Sequence, residues 1–286
     1  MKPKILAVFF VFTFFIFSPF LSSFCPDMHF VKFEDGFLPL SCPPHTFGET
    51  FKSYYDNYRK GHYLEKEYLI PKIIHFIWLG SPLPEKTKQF IATWRDKHPD
   101  WEIRIWNDEN AASFRLQNQA AFDKANNYGE KSDILRYELL YHFGGVYVDS
   151  DFECLKPFDF LHQTCEFYTG IVQYNHALLN GLIGVKQGHP IIKACIDYLQ
   201  IGNGDHDAQR IMQQTGPYHF TQMFLSHAAL CDRTKLAILP PTFFYPFPAT
   251  IALEKNISEE EAKAKFIKPE SFAIHYWSGS WKKKSS

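Results

Sequence analysis

The sequence predicts an α/β fold, and three observations support that prediction. From residue 71 onward, short runs of β-branched and aromatic residues alternate with longer segments of helical periodicity. The glycine pair Gly144 and Gly145 separates one such helix from the strand that follows it. The chain of 286 residues is long enough for one large domain with a sizeable core. We therefore expect a mostly parallel mixed sheet flanked by helices.

Each element of this fold is predicted from its own local pattern. The helix over 130–143 has apolar residues at helical spacing, and Ser132 is a plausible amino-terminal cap. An earlier helix is indicated by Phe51, Tyr54, Tyr55 and Tyr58, which we expect to pack against the domain. The predicted strands are 72–78, 102–106, 146–148 and 182–185, and the further helices are 85–97, 111–125, 190–199 and 218–229.

Two carboxylates, Asp149 and Asp151, follow the short apolar strand Val146 to Val148 directly. They therefore fall at the carboxyl end of that strand, the edge where open α/β sheets bind ligands. Oxygen ligands of this kind suit Mn²⁺ or Mg²⁺, and two carboxylates together with substrate phosphates are a common way of holding Mg²⁺. The pattern predicts a metal-bound diphosphate, although an Asp-x-Asp triplet is also common in solvated turns.

Asp133 and Arg136 stand at positions i and i+3 near the start of the preceding helix, so their side chains can share one face. One interpretation is a local ion pair that contributes little to stability if it is exposed. The other is that both side chains face a nucleotide sugar, Asp133 accepting from its hydroxyls and Arg136 donating to an oxygen.

Three segments together resemble a known family. They are Ile70–Gly80 (IPKIIHFIWLG), Ser132–Asp151 (SDILRYELLYHFGGVYVDSD) and His275–Trp281 (HYWSGSW), and they resemble the DXD-containing family 32 glycosyltransferases. This family includes fungal outer-chain mannosyltransferases, inositolphosphoceramide mannosyltransferases and α-1,4-galactosyltransferases, with the glucosylating domains of large clostridial toxins as distant relatives. The resemblance implies a GT-A type fold, a divalent ion, commonly Mn²⁺, and transfer with retention of anomeric configuration.

The resemblance also implies roles for particular residues. Asp149 and Asp151 match the metal motif, in which the first aspartate also contacts the ribose or the sugar, and Asp133 and Arg136 match contacts to the donor sugar. His275 matches a residue that contacts the metal or the diphosphate, although a histidine among aromatic residues is also a common packing residue. The remaining implied contacts are Ile77 and Trp78, at the nucleobase and ribose, and Ser280 and Trp281, at the diphosphate.

Two further segments resemble positions near the active cleft of the family, Asn180–Gly181 and Thr215–Pro217. Glycine at such positions lets the backbone approach a substrate closely. The second segment is also a plain turn before a helix that has proline at its first position, and the sequence leaves both interpretations open.

The amino terminus predicts contact with a membrane. Lys2 and Lys4 precede Ile5–Phe24, an uncharged, Phe-rich run of 20 residues that is long enough to span a bilayer. The lysines favour a single-pass type II anchor with the catalytic domain on the non-cytoplasmic side. A signal peptide that is cleaved before secretion is the alternative. We expect an anchor or signal at 1–25, a stem with an amino-terminal helix at 26–68, and the catalytic domain at 69–286.

Composition excludes one class of function and leaves the redox state open. The net charge is −1 and the basic residues are scattered, which argues against binding of nucleic acid through phosphate contacts. The six cysteines have no metal-site spacing. In an exported protein some of them would pair, for example Cys154 with Cys165.

The sequence therefore predicts a metal-dependent hexosyltransferase that uses a UDP- or GDP-sugar donor with Mn²⁺ or Mg²⁺. Its acceptor is expected to be a glycan, a glycolipid or a protein. One alternative is an exported, toxin-like effector that glycosylates a host protein. An alternative of another class is an inactive protein that binds a sugar nucleotide or acts as a scaffold, and the joint presence of Asp133, Arg136, Asp149 and Asp151 argues against it.

Overall fold

The computed structural model of the chain describes residues 28–37, 48–172, 177–202, 207–250 and 257–279. Its strands are β1 (Ile73–Ile77), β2 (Glu102–Trp106), β3 (Gly145–Val148), β4 (Phe152–Cys154), β5 (Phe167–Ile171), β6 (Leu178–Val185), β7 (Leu236–Leu239) and β8 (Ala273–His275). Its helices are α1 (Gly48–Gly61), α2 (Glu85–Lys97), α3 (Asp108–Ser113), α4 (Gln119–Lys124), α5 (Tyr128–Phe143), α6 (Asp159–Thr164), α7 (Pro190–Asp197), α8 (Ala208–Gln214), α9 (Pro217–His227), α10 (Pro241–Phe244) and α11 (Glu259–Phe266).

A six-stranded sheet in the order β2-β1-β3-β6-β5-β7 forms the centre of the fold. The pairs β1–β2, β1–β3 and β5–β7 are parallel, whereas β3–β6 and β5–β6 are antiparallel. Strands β4 and β8 form a separate antiparallel pair that brings the carboxyl-terminal part of the described chain beside β3. The predicted α/β class, with a mostly parallel mixed sheet flanked by helices, is confirmed.

The glycine pair between α5 and β3 is required by backbone conformation and by space. Gly144 ends α5 with φ 63°, and Gly145 continues with φ 93°, a region that side chains with a Cβ avoid. A Cβ on Gly145 would lie 2.4 Å from the carbonyl oxygen of Ile73 on the neighbouring strand. The glycine pair therefore allows a tight turn from α5 into the central strand β3, and the acidic motif follows at the end of that strand.

The predicted helix over 111–125 is wrong in one respect, because the structure divides this segment into α3 and α4. The chain between them is held by tertiary contacts: the Asn118 backbone N–H donates to Glu138 Oε1 at 2.7 Å, and its side chain donates to Ile196 O at 2.8 Å. The predicted cap of α5 is also wrong. That helix begins at Tyr128, and the Asn127 side chain accepts from the Gly129 N–H at 2.7 Å.

Helix α1 packs into the core, as its sequence pattern predicts. Phe51, Tyr54, Tyr55 and Tyr58 are all buried. The Tyr58 hydroxyl lies 2.7 Å from Thr164 Oγ1, which joins α1 to the end of α6. These four side chains therefore serve packing.

Two further expectations are corrected by the structure. Cys154 and Cys165 are both free and buried, and the Cys154 thiol donates to Lys156 O at 3.2 Å, so the pairing suggested as an example is wrong. The four prolines at 240, 241, 246 and 248 predict an irregular aromatic loop that serves as scaffold; the structure places the short helix α10 in this segment and buries Phe243, Phe244, Tyr245 and Phe247.

In the part of the chain that the structure describes, no helix is both long enough and apolar enough to cross a bilayer. The predicted membrane segment over 5–24 lies outside the described residues.

Candidate metal and sugar-nucleotide site

The acidic motif lies in the short connection between β3 and β4. The Asp149 backbone N–H donates to Gly181 O at 2.7 Å, which continues the pairing of β3 with β6 beyond the end of the strand. The Phe152 N–H donates to Asp149 O at 3.2 Å and closes a tight turn. Both aspartates are thus fixed by backbone hydrogen bonds at the carboxyl end of β3, the edge at which the sequence places them.

Asp149, Asp151 and His275 form one cluster whose candidate ligand atoms all lie within 4.8 Å of one another. His275 arrives through the β4–β8 pair, in which it lies opposite Phe152. Its Nε2 is 3.0 Å from Asp151 Oδ1, and the Ser278 backbone N–H donates to Asp151 Oδ2 at 2.7 Å. The structure thus brings together the three residues that the sequence predicts as metal ligands.

The ring of His275 is oriented by aromatic packing. It stacks on Phe152 with centroids 4.6 Å apart and meets the edge of Trp277 at 4.2 Å. Its Nδ1 is buried and has no hydrogen-bond partner among the described residues. Packing therefore points Nε2 toward Asp151 without a second hydrogen bond on the ring.

Charge pairing governs the ionisation of this cluster. Burial disfavours the carboxylate of Asp151, but the adjacent His275 and the Ser278 N–H outweigh that effect and hold the pKa of Asp151 well below its usual range. Burial likewise disfavours the charged imidazole, and the attraction of Asp151 outweighs it, so the pKa of His275 is raised. Burial raises the pKa of Asp149. A cation bound here would favour both carboxylates in their charged form and the imidazole in its neutral form.

The residues present fit a divalent cation. Two carboxylates and an imidazole are acceptable ligands for Mn²⁺, and the carboxylates alone suit Mg²⁺. Asp149 Oδ1 accepts from the Tyr147 hydroxyl at 2.7 Å, whereas its Oδ2 makes no hydrogen bond within the described ranges. Gly181 leaves room for that oxygen, since a Cβ there would lie 2.6 Å from it. A lone pair of Asp149 is thus available for an ion.

A second cluster surrounds Asp133 and Arg136 on α5. Both side chains are buried, with Arg136 Nη2 3.0 Å from Asp133 Oδ1. Asp133 also accepts from Asn180 Nδ2 at 2.8 Å and from the Thr215 hydroxyl at 2.9 Å. Arg136 donates to Asn180 O at 2.6 Å, and its guanidinium lies 4.3 Å from the Tyr147 ring centroid. The exposed ion pair considered from the sequence is therefore a buried hydrogen-bonded network.

Arg136 connects the two clusters. Its Nη1 lies 3.4 Å from Asp149 Oδ1, the oxygen to which Tyr147 donates. Burial raises the pKa of Asp133 to about 6, although Arg136 and the donated hydrogen bonds oppose that rise. For Arg136 burial opposes the charge, yet the surrounding groups outweigh it, and its pKa is raised above an already high value.

The other residues implied by the resemblance are only partly placed by the structure. Ile77 ends β1 and is buried, and Trp78 follows it at the same sheet edge, with its indole N–H donating to Ser81 Oγ at 3.1 Å. Ser280 and Trp281 lie outside the described residues.

Asn180 and Thr215 are direct hydrogen-bond partners of Asp133. Pro217 begins α9, so the second segment is also the turn before a helix that its proline predicts. Tyr147 is a site residue that the sequence reasoning missed. The signal was present, because residues two apart in an extended chain face the same side, and Tyr147 stands two residues before Asp149.

Residues 84–168 match the family model described as a glycosyltransferase sugar-binding region containing a DXD motif. The matched region includes Asp133, Arg136, Asp149 and Asp151. This match covers part of the chain, and it agrees with the resemblance found in the sequence.

Named relatives agree with this class. The chain is 37% identical over 187 residues to inositol phosphoceramide mannosyltransferase 1 of Schizosaccharomyces pombe. The aligned region covers 61% of this chain and 57% of that protein. It is 25% identical over 264 residues to inositol phosphoceramide mannosyltransferase 3 of the same yeast, covering 84% of this chain and 72% of that protein. This chain thus spans little more than half the length of the first relative. These names support the expectation of an enzyme of the glycosyltransferase class.

A solved structure described as PaToxG glycosyltransferase shares the fold. The two superpose with a TM-score of 0.50 at 23% sequence identity, covering 64% of this chain and 76% of that one. This likeness confirms the expected GT-A type architecture.

Proposed function

We propose that this chain is a glycosyltransferase that binds a nucleotide sugar through a divalent cation and moves its hexose to an acceptor. The observation that carries the proposal is the meeting of two clusters at one sheet edge. The potential metal ligands Asp149, Asp151 and His275 stand beside the buried pair of Asp133 and Arg136, with 3.4 Å between Arg136 Nη1 and Asp149 Oδ1. This arrangement suits a ligand that carries a diphosphate at one end and a sugar at the other.

The proposed chemistry follows from charge development at the anomeric carbon. Breaking its bond to the nucleoside diphosphate leaves negative charge on the departing phosphate and positive charge on the sugar. A divalent ion held by Asp149, Asp151 and His275 would supply Lewis-acid stabilisation of that phosphate. Arg136 is held in place by Asn180 and Asp133, so it presents a fixed positive charge without reorganisation. Asp133 would orient the sugar by accepting from its hydroxyls.

We further propose that the anomeric configuration is retained, as the family resemblance implies. The Asp133 carboxylate is engaged with Arg136, and that of Asp151 with His275 and the Ser278 N–H, which suits binding more than attack on the sugar. In this scheme the leaving phosphate helps to deprotonate the acceptor hydroxyl on the same face. Proton NMR of the freshly formed product distinguishes the outcomes, since an inverted anomer would contradict retention.

The acceptor is proposed to be a glycan or glycolipid, which is supported by the names of the yeast relatives. The apolar segment over 5–24 supports a type II membrane anchor, followed by a stem to residue 68 and the catalytic domain from residue 69. Extraction of membranes at alkaline pH tests the anchor, because complete release of the protein would rule it out.

The catalytic proposal is tested by release of nucleoside diphosphate from a panel of UDP- and GDP-hexoses. We expect release from at least one donor with Mn²⁺ or Mg²⁺, and loss of that release when EDTA removes the metal. Absence of release from every donor, by a protein that is folded by circular dichroism, would contradict the proposal and favour the inactive binding alternative.

A further inference from the structure

Tyr245 carries a hydroxyl at a position where phenylalanine would pack equally well. It belongs to the aromatic run 243–247, in which the other aromatic residues, Phe243, Phe244 and Phe247, have no polar side-chain atom. Tyr245 is only 3% exposed, and its hydroxyl makes no hydrogen bond with any of the described residues. Burying a hydroxyl without a partner costs free energy, so packing alone would favour phenylalanine at this position.

The ring of Tyr245 lies beside the metal cluster and is fixed by packing. It meets Phe152 edge-on with the ring centroids 5.4 Å apart, and it meets His275 at 5.6 Å with the two planes at 89°. A Cβ on Gly170 would lie 2.8 Å from Cε2 of the Tyr245 ring, so the glycine on β5 makes room for that ring. The Tyr245 backbone N–H donates to Pro241 O at 2.7 Å, which fixes the main chain at the end of α10.

The hydroxyl of Tyr245 borders the same small space as Asp149 Oδ2. The Cβ that Gly181 lacks would lie 2.6 Å from Asp149 Oδ2 and 3.6 Å from the Tyr245 hydroxyl oxygen. Burial raises the pKa of Tyr245 well above its usual value, and the charge of Asp149 adds to that rise. The Leu182 backbone opposes the rise, yet by distance and angle it forms no hydrogen bond with the hydroxyl. A hydroxyl donor and a carboxylate acceptor, each without a hydrogen bond among the described residues, therefore lie close to one another.

The Asp149 carboxylate can use this donor and still bind a cation. A carboxylate oxygen has two lone pairs, so Oδ2 can accept one hydrogen bond and ligate an ion with the other pair. Oδ1 of the same carboxylate already accepts from the Tyr147 hydroxyl at 2.7 Å. A second phenol on Oδ2 would fix the carboxylate at both oxygens, and side chains that orient a ligand in this way control metal affinity. Because the Tyr245 hydroxyl is buried, it acts through Asp149 and does not touch a substrate.

We propose that Tyr245 is a positioning residue of the metal site and that its hydroxyl donates to Asp149 Oδ2 when a divalent cation is bound. This inference rests on the proposed function, because the cation belongs to that function. The hydroxyl then lowers the stability of the metal-free chain and raises the affinity of the site for the cation. A tyrosine that served only the core would instead contribute to stability and leave the metal affinity unaffected.

Tyr245→Phe removes the hydroxyl and keeps the ring, so it tests the role of the hydroxyl alone. Binding of Mn²⁺ to the full chain is measured by electron paramagnetic resonance in the presence of GDP or UDP. The melting temperature is measured without metal or nucleotide. We expect the dissociation constant for Mn²⁺ to rise at least about tenfold, the usual effect of losing a group that orients a metal ligand. The melting temperature should stay the same or rise, because the variant no longer buries an unpaired hydroxyl.

Tyr168→Phe is the matched control. Tyr168 is also a buried tyrosine, but its hydroxyl is paired with His162 Nε2 at 2.9 Å. Its removal leaves a buried ring nitrogen without a partner, so the melting temperature without metal should fall by at least about 2 °C. The Mn²⁺ affinity of Tyr168→Phe should not change. The two variants are therefore expected to respond in opposite ways to the same chemical change.

The outcomes separate the inference from the function on which it rests. Weaker Mn²⁺ binding in Tyr245→Phe, with no loss of melting temperature and no such weakening in Tyr168→Phe, supports the role of Tyr245. A dissociation constant that changes by less than about threefold, or that rises equally in both variants, overturns this role and leaves the glycosyltransferase proposal standing. A lower melting temperature of metal-free Tyr245→Phe also overturns it. Absence of Mn²⁺ binding by the folded, unaltered protein contradicts both.

Discussion

The two carboxylate clusters at the sheet edge differ in how fully the protein satisfies them. The buried Asp133 carboxylate pairs with Arg136 and accepts hydrogen bonds from Asn180 and Thr215. Asp149 keeps an oxygen without a hydrogen bond in the described part of the chain, and the side chain of Asp149 is 31% exposed. In the proposed function, Asp133 and Arg136 form a rigid scaffold for orienting a sugar, and Asp149, Asp151 and His275 form a donor set that an external cation would complete.

The largest effect on activity should come from the cluster of Asp149, Asp151 and His275. Asp151→Asn keeps the shape of the side chain but removes the charge that pairs with His275 and would ligate the ion. We expect metal-dependent release of nucleoside diphosphate to fall at least about 1,000-fold, the upper end of what one lost electrostatic contact costs. Asp96→Asn, which changes an exposed carboxylate on α2, should keep its activity. Activity of Asp151→Asn within tenfold of the unaltered protein would contradict the assignment.

Changes in the cluster of Asp133 and Arg136 should instead lower the stability of the fold. Arg136→Met leaves the Asp133 carboxylate buried without its ion-pair partner and Asn180 O without a donor. We expect the free energy of unfolding in urea to fall by about 3–5 kcal/mol. Arg104→Met removes a more exposed pair with Glu102 and should cost less than about 1 kcal/mol. Equal losses in the two variants would show that the Asp133 network is not a rigid scaffold.

The pH dependence of activity sharpens the comparison further. The pKa of Asp133 is raised to about 6, whereas that of Asp151 stays well below its usual range. Protonation of Asp133 removes its charge from Arg136, so kcat/KM should fall about tenfold per pH unit below pH 6. The folded pKa lies above the ordinary value of 3.8, so this group alone makes folding more favourable as the pH falls between those values.

Measuring activity and folding together distinguishes a loss of catalysis from unfolding. Activity should be lost below pH 6 while circular dichroism still reports folded protein. Asp133→Asn should keep the loss of activity that protonation of His275 causes and lack the additional loss from Asp133, so its profile below pH 6 should be less steep. A profile that is flat from pH 7 to pH 5 in the unaltered protein would remove Asp133 from the reaction.

The smallest effect should come from the space beside Asp149. Gly181→Ala places a Cβ 2.6 Å from Asp149 Oδ2, so the carboxylate has to move. We expect Mn²⁺ affinity to weaken by several-fold to about tenfold, which corresponds to at most about 1.4 kcal/mol. Gly188→Ala meets no atom within 4 Å but has φ 73°, so it should lose some stability and keep its metal affinity. Equal metal affinity in both variants would contradict the close approach at Gly181.

The sequence alone predicted the residues of the two clusters unequally well. Asp133, Arg136, Asp149 and Asp151 lie within one helix, turn and strand, so periodicity and the glycine pair were enough to place them. His275 follows Asp151 by more than one hundred residues, and only the resemblance indicated it. Its approach depends on the β4–β8 pair, which was not predicted because three-residue strands have too little pattern to read.

The remaining errors have the same origin in tertiary contacts. The break between α3 and α4 depends on hydrogen bonds from Asn118 to Glu138 and Ile196, which no local pattern reveals. The aromatic residues after residue 239 looked like a loop because four prolines interrupt them, and yet Phe243 and Phe244 are buried. Local patterns identify the elements that carry the motif, and non-local packing decides what surrounds it.

The central claim is that Asp149, Asp151 and His275 bind a divalent cation, and direct titration with Mn²⁺ tests it. Electron paramagnetic resonance measures the free ion as it is added to the full chain in the presence of GDP or UDP. We expect one tightly bound Mn²⁺ per chain, with that binding lost in Asp151→Asn and kept in Asp96→Asn. Binding that is equally tight in Asp151→Asn would contradict it.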